Sequence, residues 1–354
     1  MVLMYNSMPI SINYSFNFGV ILLVIYVCLL LTGFFCTFFY NNLLSVSFNN
    51  LILSSVNIFF FSSLRCFHNT FANLFFLFMF FHIFKSFFYS SSQVVLTLIL
   101  GVVIFIVSCA IAFFGYCLPM GQMSFWAAIV IFSLLSVLPF GNLIIFYLFG
   151  SFSISARTLS LLFFLHFFFP FILFVLIFSH LYNLHSSLSS STSFNDFIDV
   201  VSFNPVFVLI DIFIVVLFFS FVFLIVFFFS FFFFESANFI EFNSLVTPLH
   251  IYPDWFLLFP YACLRSVDSK VFGVFLLIFI MLGLFLVSFF SSYFQNNNLF
   301  YILNIIVIFT FILIMFSGSF PSVYPFSALI IYLQIFIYSF FLIYMFLFSL
   351  SVLI

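Results

Sequence analysis

Six histidines punctuate a chain of 354 residues in which only 3% are charged. Four of them form two matched pairs: His68 and His82 are 14 residues apart, and so are His166 and His180. Each pair lies within one long apolar stretch. On an α-helix, 14 residues rise about 21 Å and return to within about 40° of the starting direction. Two such helices would offer two pairs of imidazoles at two depths, separated by about two-thirds of a bilayer core. Imidazole is a strong axial ligand for haem iron, so the pattern fits two stacked haems, each held between two helices. Unrelated polar residues in a bundle have no reason to share one interval.

The glycines repeat the number. Gly19 and Gly33 are 14 apart, and so are Gly101 and Gly115. Small residues at helix interfaces often serve helix packing alone. Four helices sharing one interval favour a flat macrocycle approaching the backbone, which glycine permits. Arg65 and Lys85 each lie three residues from a histidine of the pair on their helix. Both are placed to neutralise haem propionates, since a buried anion needs a partner.

These residues must be positioned by membrane helices. The chain is 68% apolar, with 75 phenylalanines, and its mean hydropathy is +1.49. No water-soluble fold hides that much apolar surface. Apolar runs of about 20 residues span a bilayer as helices, because lone strands cannot satisfy their backbone in lipid. The expected fold is therefore an all-α membrane protein with eight transmembrane helices. They are expected at 17–39, 61–89, 94–118, 157–185, 208–233, 271–291, 299–318 and 325–352. The first four would form a four-helix di-haem bundle. Residues 119–141 read as a pair of interfacial helices. Polar linkers are expected at 186–197, 235–248 and 291–298. The first of these divides an N-terminal half (1–190) from a C-terminal half (191–354).

Five basic and seven acidic residues are too few to suggest nucleic acid as a partner, and they leave the positive-inside rule little to count. The start of the chain shows no basic segment or small-residue cleavage site, so no secretory or transit peptide is expected. The six cysteines lie in apolar surroundings with no CxxC, and read as small buried hydrophobes. The phenylalanine runs, such as 227–234, read as a coding bias rather than a ligand box.

Two further stretches carry a resemblance. "GYCLPMGQMSFW" (115–126) and "PDWFLLFPYACLRS" (253–266) are similar to long signatures of mitochondrial cytochrome b, the haem- and quinone-binding subunit of the respiratory cytochrome bc complex (complex III). The resemblance runs from about residue 17 to the C-terminus. It implies two b-type haems, with His68 and His166 as ligands of the low-potential haem and His82 and His180 as ligands of the high-potential one. It places Arg65 and Lys85 at propionates and Gly19, Gly33, Gly101 and Gly115 against the haems. It implies a quinol-oxidation pocket lined by Tyr116, Met123, Phe125, Pro253, Asp254, Trp255 and Tyr261. A quinone-reduction pocket would use His185 and Asp211. The implied substrate is ubiquinone and its quinol, and the implied place is the mitochondrial inner membrane. A Rieske-type iron–sulfur protein and a c-type cytochrome subunit are the implied partners, in a homodimeric, proton-translocating quinol–cytochrome c oxidoreductase. Arg265 and Lys270 are expected to pair locally.

This chain departs from the family pattern at several points. Met120 stands for a Trp, Asp254 for a Glu, Phe256 for a Tyr, Lys85 for an Arg and Ile210 for a Lys. Leu161 stands where a basic residue is expected, with Arg157 one turn earlier. None of these touches the four histidines. Asp254 carries the sharpest expectation. Pro253 fixes the backbone before it, and the apolar run after it excludes water. Desolvation would raise its pKa toward neutral, as a proton acceptor for quinol requires. A carboxylate merely capping a helix would be shifted the other way. A bridging water is expected to make up for the shorter reach of Asp254, with a closer quinol or a relay through Tyr261 as the alternatives.

Other all-helical readings lack one feature each. A multi-helix transporter does not need two histidine and two glycine pairs at one spacing. A small di-haem cytochrome b anchoring a dehydrogenase lacks the second half. The photosynthetic relative splits the fold into two chains and adds a residue between the second pair of histidines.

Overall fold

The computed structural model describes residues 7–10, 12–88, 95–151, 153–187, 200–248, 250–290, 298–320, 325–337 and 339. The protein is all-α apart from a two-stranded antiparallel ribbon. In chain order the elements are β1 (Ser7–Pro9), α1 (Phe18–Thr37), α2 (Ser47–Asn57), α3 (Phe59–Phe88) and α4 (Val95–Cys117). They continue with α5 (Gln122–Leu135), α6 (Gly141–Phe149), α7 (Ala156–Ser187), β2 (Val200–Ser202), α8 (Val208–Phe228), α9 (Leu258–Arg265), α10 (Lys270–Phe290) and α11 (Asn298–Ser317). A last apolar helix, α12, spans Phe326–Ile337. β1 pairs with β2 in the register Ser7 to Ser202, tying the start of the chain to the approach to α8.

Among the described residues five helices are long and apolar enough to cross a membrane: Tyr14–Thr37, Phe59–Ser86, Val95–Cys117, Ala156–Ser186 and Phe203–Phe228. They coincide with the first five expected spans. The last three expected spans are occupied by α10, α11 and α12. The expected linker at 186–197 and the end of the last span, 340–352, fall largely or wholly outside the described residues.

The closest packing is pairwise: α1 runs along α3, and α4 along α7. α8 leans on α3 and α1, α11 on α3, and α10 on α4, while α9 sits between α10 and α11. The main core lies where these meet, around Ile25, Leu74, Phe76, Val222, Phe259 and Ile314. The many exposed aromatic and aliphatic side chains of α7 and α8 are what lipid-facing helix surfaces require.

Three local features differ from expectation. α2 is amphipathic, burying Phe48 and Leu51 between polar neighbours; it is too short and too mixed to stand out as a span. The stretch 119–141 holds one helix rather than two. α5 ends at Leu135, the chain turns through Phe140 at φ 60°, and α6 starts only at Gly141. A side chain at Gly141 would sit 2.1 Å from the Leu135 carbonyl, so the turn needs glycine there. Finally, α8 stops at Phe228 rather than 233. The aromatic run continues past it, so hydropathy cannot mark the end.

Candidate functional site

The four histidines meet in two levels across the gap between the two packed helix pairs. Across α3 and α7, the rings of His68 and His166 face each other with centroids 6.2 Å apart. Those of His82 and His180 are 6.3 Å apart. Two metal–imidazole bonds of about 2.0–2.1 Å, with roughly 1.1 Å from nitrogen to ring centre, place trans rings about 6.2–6.4 Å apart. One metal ion fits between each pair. Among the described residues no three His, Cys, Asp or Glu side chains gather as a metal cluster. A bare tetrahedral ion is therefore poorly served, whereas a haem, which brings its own four nitrogens, needs only the two axial imidazoles.

The outer nitrogens support the same chemistry. His166 Nδ1 lies 2.9 Å from the Ile111 carbonyl, and His180 Nδ1 lies 2.9 Å from the Thr97 carbonyl. A carbonyl only accepts, so each Nδ1 carries the proton and each Nε2 keeps its lone pair for a metal. His68 Nδ1 is 3.0 Å from Thr32 Oγ1. That hydroxyl already donates to the Cys28 carbonyl, so it accepts from the imidazole. His82 Nδ1 is buried without a partner among the described residues.

The glycines make room for the histidines. A Cβ at Gly115 would lie 2.4 Å from His166 Cε1, and one at Gly33 would lie 3.0 Å from His68 Cε1. At Gly101 and Gly19 the corresponding distances, to His180 and His82, are 3.5 Å. Each glycine thus faces the imidazole of its packed partner helix.

The two cations stand near these levels without a carboxylate partner among the described residues. Arg65 donates to Ser55 Oγ and lies 5.7 Å from the Phe234 ring centre. Lys85 Nζ sits 3.5 Å above the Phe16 ring. Hydroxyl and ring faces leave each positive charge available to an anionic group.

A cavity of about 500 Å³ opens beside His68 and His166. Gly33, Gly115, Arg65, Tyr116, Glu235 and Asp254 are on its wall. That volume lies in the range of small-molecule and cofactor sites. Asp254 precedes a 3₁₀ turn (Trp255–Leu257), and its carbonyl, not its side chain, accepts from the turn at 2.9 Å. Burial first, and then the negative charge of Glu235, push the Asp254 carboxyl up to about 7. This is the direction expected of a proton acceptor rather than of a helix cap.

Sequence and structure comparisons identify the family of the chain and its fold. Residues 3–188 match the family described as Cytochrome b/b6/petB, and residues 241–345 match Cytochrome b(C-terminal)/b6/petD. The chain is similar to cytochrome b of Myxine glutinosa, with 37% identity over 97% of this chain and 90% of the relative. It is similar to cytochrome b of Apis mellifera ligustica, with 34% identity over 91% and 86%. The chain belongs to the cytochrome b family. Its fold superposes with a TM-score of 0.87 on a chain of a hyperthermophilic respiratory complex III, at 25% identity, covering 95% of this chain and 91% of that one.

In this chain, the signature at 115–126 docks a loop. The Gln122 backbone N–H donates to the Ile240 carbonyl at 2.9 Å. Its side chain bridges the Asn243 N–H and the Val246 carbonyl at 2.7 and 2.8 Å. Asn238 Oδ1 accepts from both the N–H and the hydroxyl of Ser124, each at 2.8 Å. A side chain at Gly121 would meet the Asn238 backbone at 2.6 Å. Met123 and Phe125 are buried, and Phe125 stacks on Phe242 at 4.5 Å. Neither lies on the wall of the cavity beside His68 and His166. Trp255 turns toward α3 and donates to Asn73 Oδ1 at 2.8 Å, and Pro253 leads into the same turn. The Tyr261 hydroxyl donates to the Ile251 carbonyl and accepts from Arg265 at 2.9 Å. Burial raises its pKa and Arg265 opposes the rise. Arg265 therefore pairs locally, as expected. At the other end, Asn17 donates to the Asp211 carboxylate, while His185 is exposed in the last turn of α7.

Sequence reasoning missed Asn17, Asn69, Asn73, Glu235 and Asn238. The available signal was their polarity in a chain this apolar, since polar groups at membrane depth usually have a task.

Proposed function

We propose that this chain is the haem- and quinone-binding core subunit of a quinol–cytochrome c oxidoreductase of the mitochondrial inner membrane. It oxidises quinol at one face and reduces quinone at the other. The observation that carries this reading is the two pairs of facing imidazoles, at 6.2 and 6.3 Å. Residues 1–190 act as the di-haem half, and residues 191–354 complete the quinol pocket. When bound, two b-type haems would supply one-electron carriers. His68 with His166, and His82 with His180, would hold them. Carbonyl and hydroxyl acceptors orient three of the four rings. Arg65 and Lys85 hold positive charge where propionates would sit.

Quinol binds at the end of the cavity walled by Asp254 and Tyr116, beside the space between His68, His166, Gly33 and Gly115 that a haem would fill, and gives up two electrons and two protons. Asp254 accepts a proton there, and Tyr116 shares the wall. Asp254 is one methylene shorter than the family's glutamate, so its direct reach falls by roughly 1.3–1.5 Å. A bridging water restores that reach at little cost. Quinone is reduced at the end that carries Asp211 and His185, both able to deliver protons. One electron of each quinol leaves through a Rieske-type iron–sulfur partner toward a c-type cytochrome, in a dimeric complex. A reduced-minus-oxidised spectrum with redox titration of the purified complex tests the reading. Two b-type components of different potential are expected; one component, or none, overturns it.

A further inference from the structure

A chain of amide side chains joins the cavity's two loops to the histidine-bearing helix. Asn73 lies on α3, between His68 and His82, and is only 3% exposed. Its Oδ1 accepts from Trp255 Nε1 at 2.8 Å. Its Nδ2 donates to the Asn69 carbonyl at 3.0 Å and to Asn69 Oδ1 at 3.3 Å. Asn69 Nδ2 in turn donates to the Phe233 carbonyl at 3.0 Å. Phe233 begins the loop that carries Glu235 and Asn238, and Trp255 follows Asp254 directly. Asn69, Asn73, Glu235, Asn238 and Asp254 all line the one cavity.

The same stripe of α3 holds the neighbouring rings. Phe256 stacks on Phe76 at 4.1 Å and 3°, and Trp255 packs against Phe80 at 5.9 Å. Positions 73, 76 and 80 fall on one helical face. Ring packing is nearly indifferent to small rotations, whereas a hydrogen bond at 2.8 Å sets direction. The Asp254 side chain does not cap the turn, so its neighbours decide where it points.

We infer that Asn73 is a positioning residue for quinol oxidation: through the Trp255 indole it registers Asp254 against α3, at a set height above His68 and His166. This rests on the proposed quinol-oxidising reading. A short carboxylate has little slack, because proton transfer needs heavy atoms within about 2.6–3.2 Å, directly or through one water. A misplacement of about 1 Å is enough to slow such a step by about 100-fold.

The test uses the whole purified complex and three variants: Trp255→Phe, Asn73→Leu and the double substitution. Trp255→Phe keeps a ring and removes only the N–H. The measurement is the pre-steady-state rate of low-potential haem reduction at saturating quinol, with the quinone-reduction site blocked, taken across pH. Each single variant should slow the limiting rate by about 10- to 100-fold, with unchanged haem content and potentials. The double variant should be no slower than the slower single, because both remove one link. A wild-type rate in Trp255→Phe, or slowing in the double that multiplies the two singles, overturns the assignment. If Asn73→Leu fails to assemble, Trp255→Phe decides alone. Asp254→Asn, run alongside, separates the two ideas. A wild-type rate there sinks the acceptor role of Asp254 and the latch with it. A slow Asp254→Asn beside a wild-type Trp255→Phe sinks the latch only.

Discussion

The two histidine levels come from one repeated interval, yet they are built differently. At the His68–His166 level both Nδ1 atoms are tethered, and both glycines are crowded by imidazole at 3.0 Å or less. At the His82–His180 level one Nδ1 is tethered and the other has no partner among the described residues, and both glycines have 3.5 Å. An imidazole whose outer N–H is held by an acceptor is a more basic ligand, and a more basic ligand favours the oxidised metal. The better-tethered level should therefore hold the lower potential. This agrees with the assignment implied by family resemblance, and it comes from hydrogen bonds rather than from motif.

The largest test of that comparison removes a level. His68→Leu should abolish one b-type component in a redox titration and leave the other near its own potential; His180→Leu should do the reverse. Loss of the same component in both variants would break the pairing.

Next comes the glycine asymmetry. Gly115→Ala places a methyl 2.4 Å from His166 Cε1, so the ring or a helix must move. Haem content should fall from two to one per chain, or the complex should fail to accumulate. Gly101→Ala has ordinary contact distance, and alanine favours helix by about 1 kcal/mol over glycine. It should keep both components and lose no thermal stability. Equal damage from both substitutions would erase the distinction.

A pH experiment probes only the cavity level. Asp254 titrates near 7 because burial and Glu235 both penalise its charge. As acceptor it must be ionised, so the rate of low-potential haem reduction should rise with pH through about 7. Glu235→Gln removes the second cause but not burial. The midpoint should move to lower pH and stay above the ordinary carboxylate range. The raised pKa also carries a stability sign. Between the ordinary carboxylate value and about 7 the folded chain holds a proton that the unfolded chain releases. The contribution of Asp254 therefore weakens as pH rises across that window.

The smallest effect concerns Thr32. Thr32→Val removes the acceptor from His68 Nδ1. The low-potential component should rise by roughly 20–60 mV, at most a tenfold change in a one-electron equilibrium. An unchanged potential would show that the tether does not tune the metal.

The parts legible in the sequence share one property: they repeat along a helix. The 14-residue interval placed His68, His82, His166 and His180 on facing helices, because helix geometry turns sequence distance into height with little error. Asp254 was legible as a lone carboxylate in an apolar stretch. What stayed hidden depends on contacts between distant segments. Nothing near Asn73 announces that Trp255 will come to it, and nothing in the aromatic run shows that α8 stops at Phe228. Hydropathy saturates in so apolar a chain, so it marks where helices exist better than where they end. The polar stretch at 235–248 looked like a spacer, whereas Gln122 and Asn238 stitch it to α5.

The pairwise packing of α1 on α3 and of α4 on α7 has a consequence for assembly. Each histidine level takes one ring from either pair, so the two hairpins are jaws and a group ligated between them is a rivet. Whatever binds both rings binds only the closed arrangement, and its affinity then adds to the stability of that arrangement by mass action. Before ligation, the hairpins should be the separable units of the newly inserted chain. Cofactor supply would then govern how much of this subunit escapes degradation in the membrane.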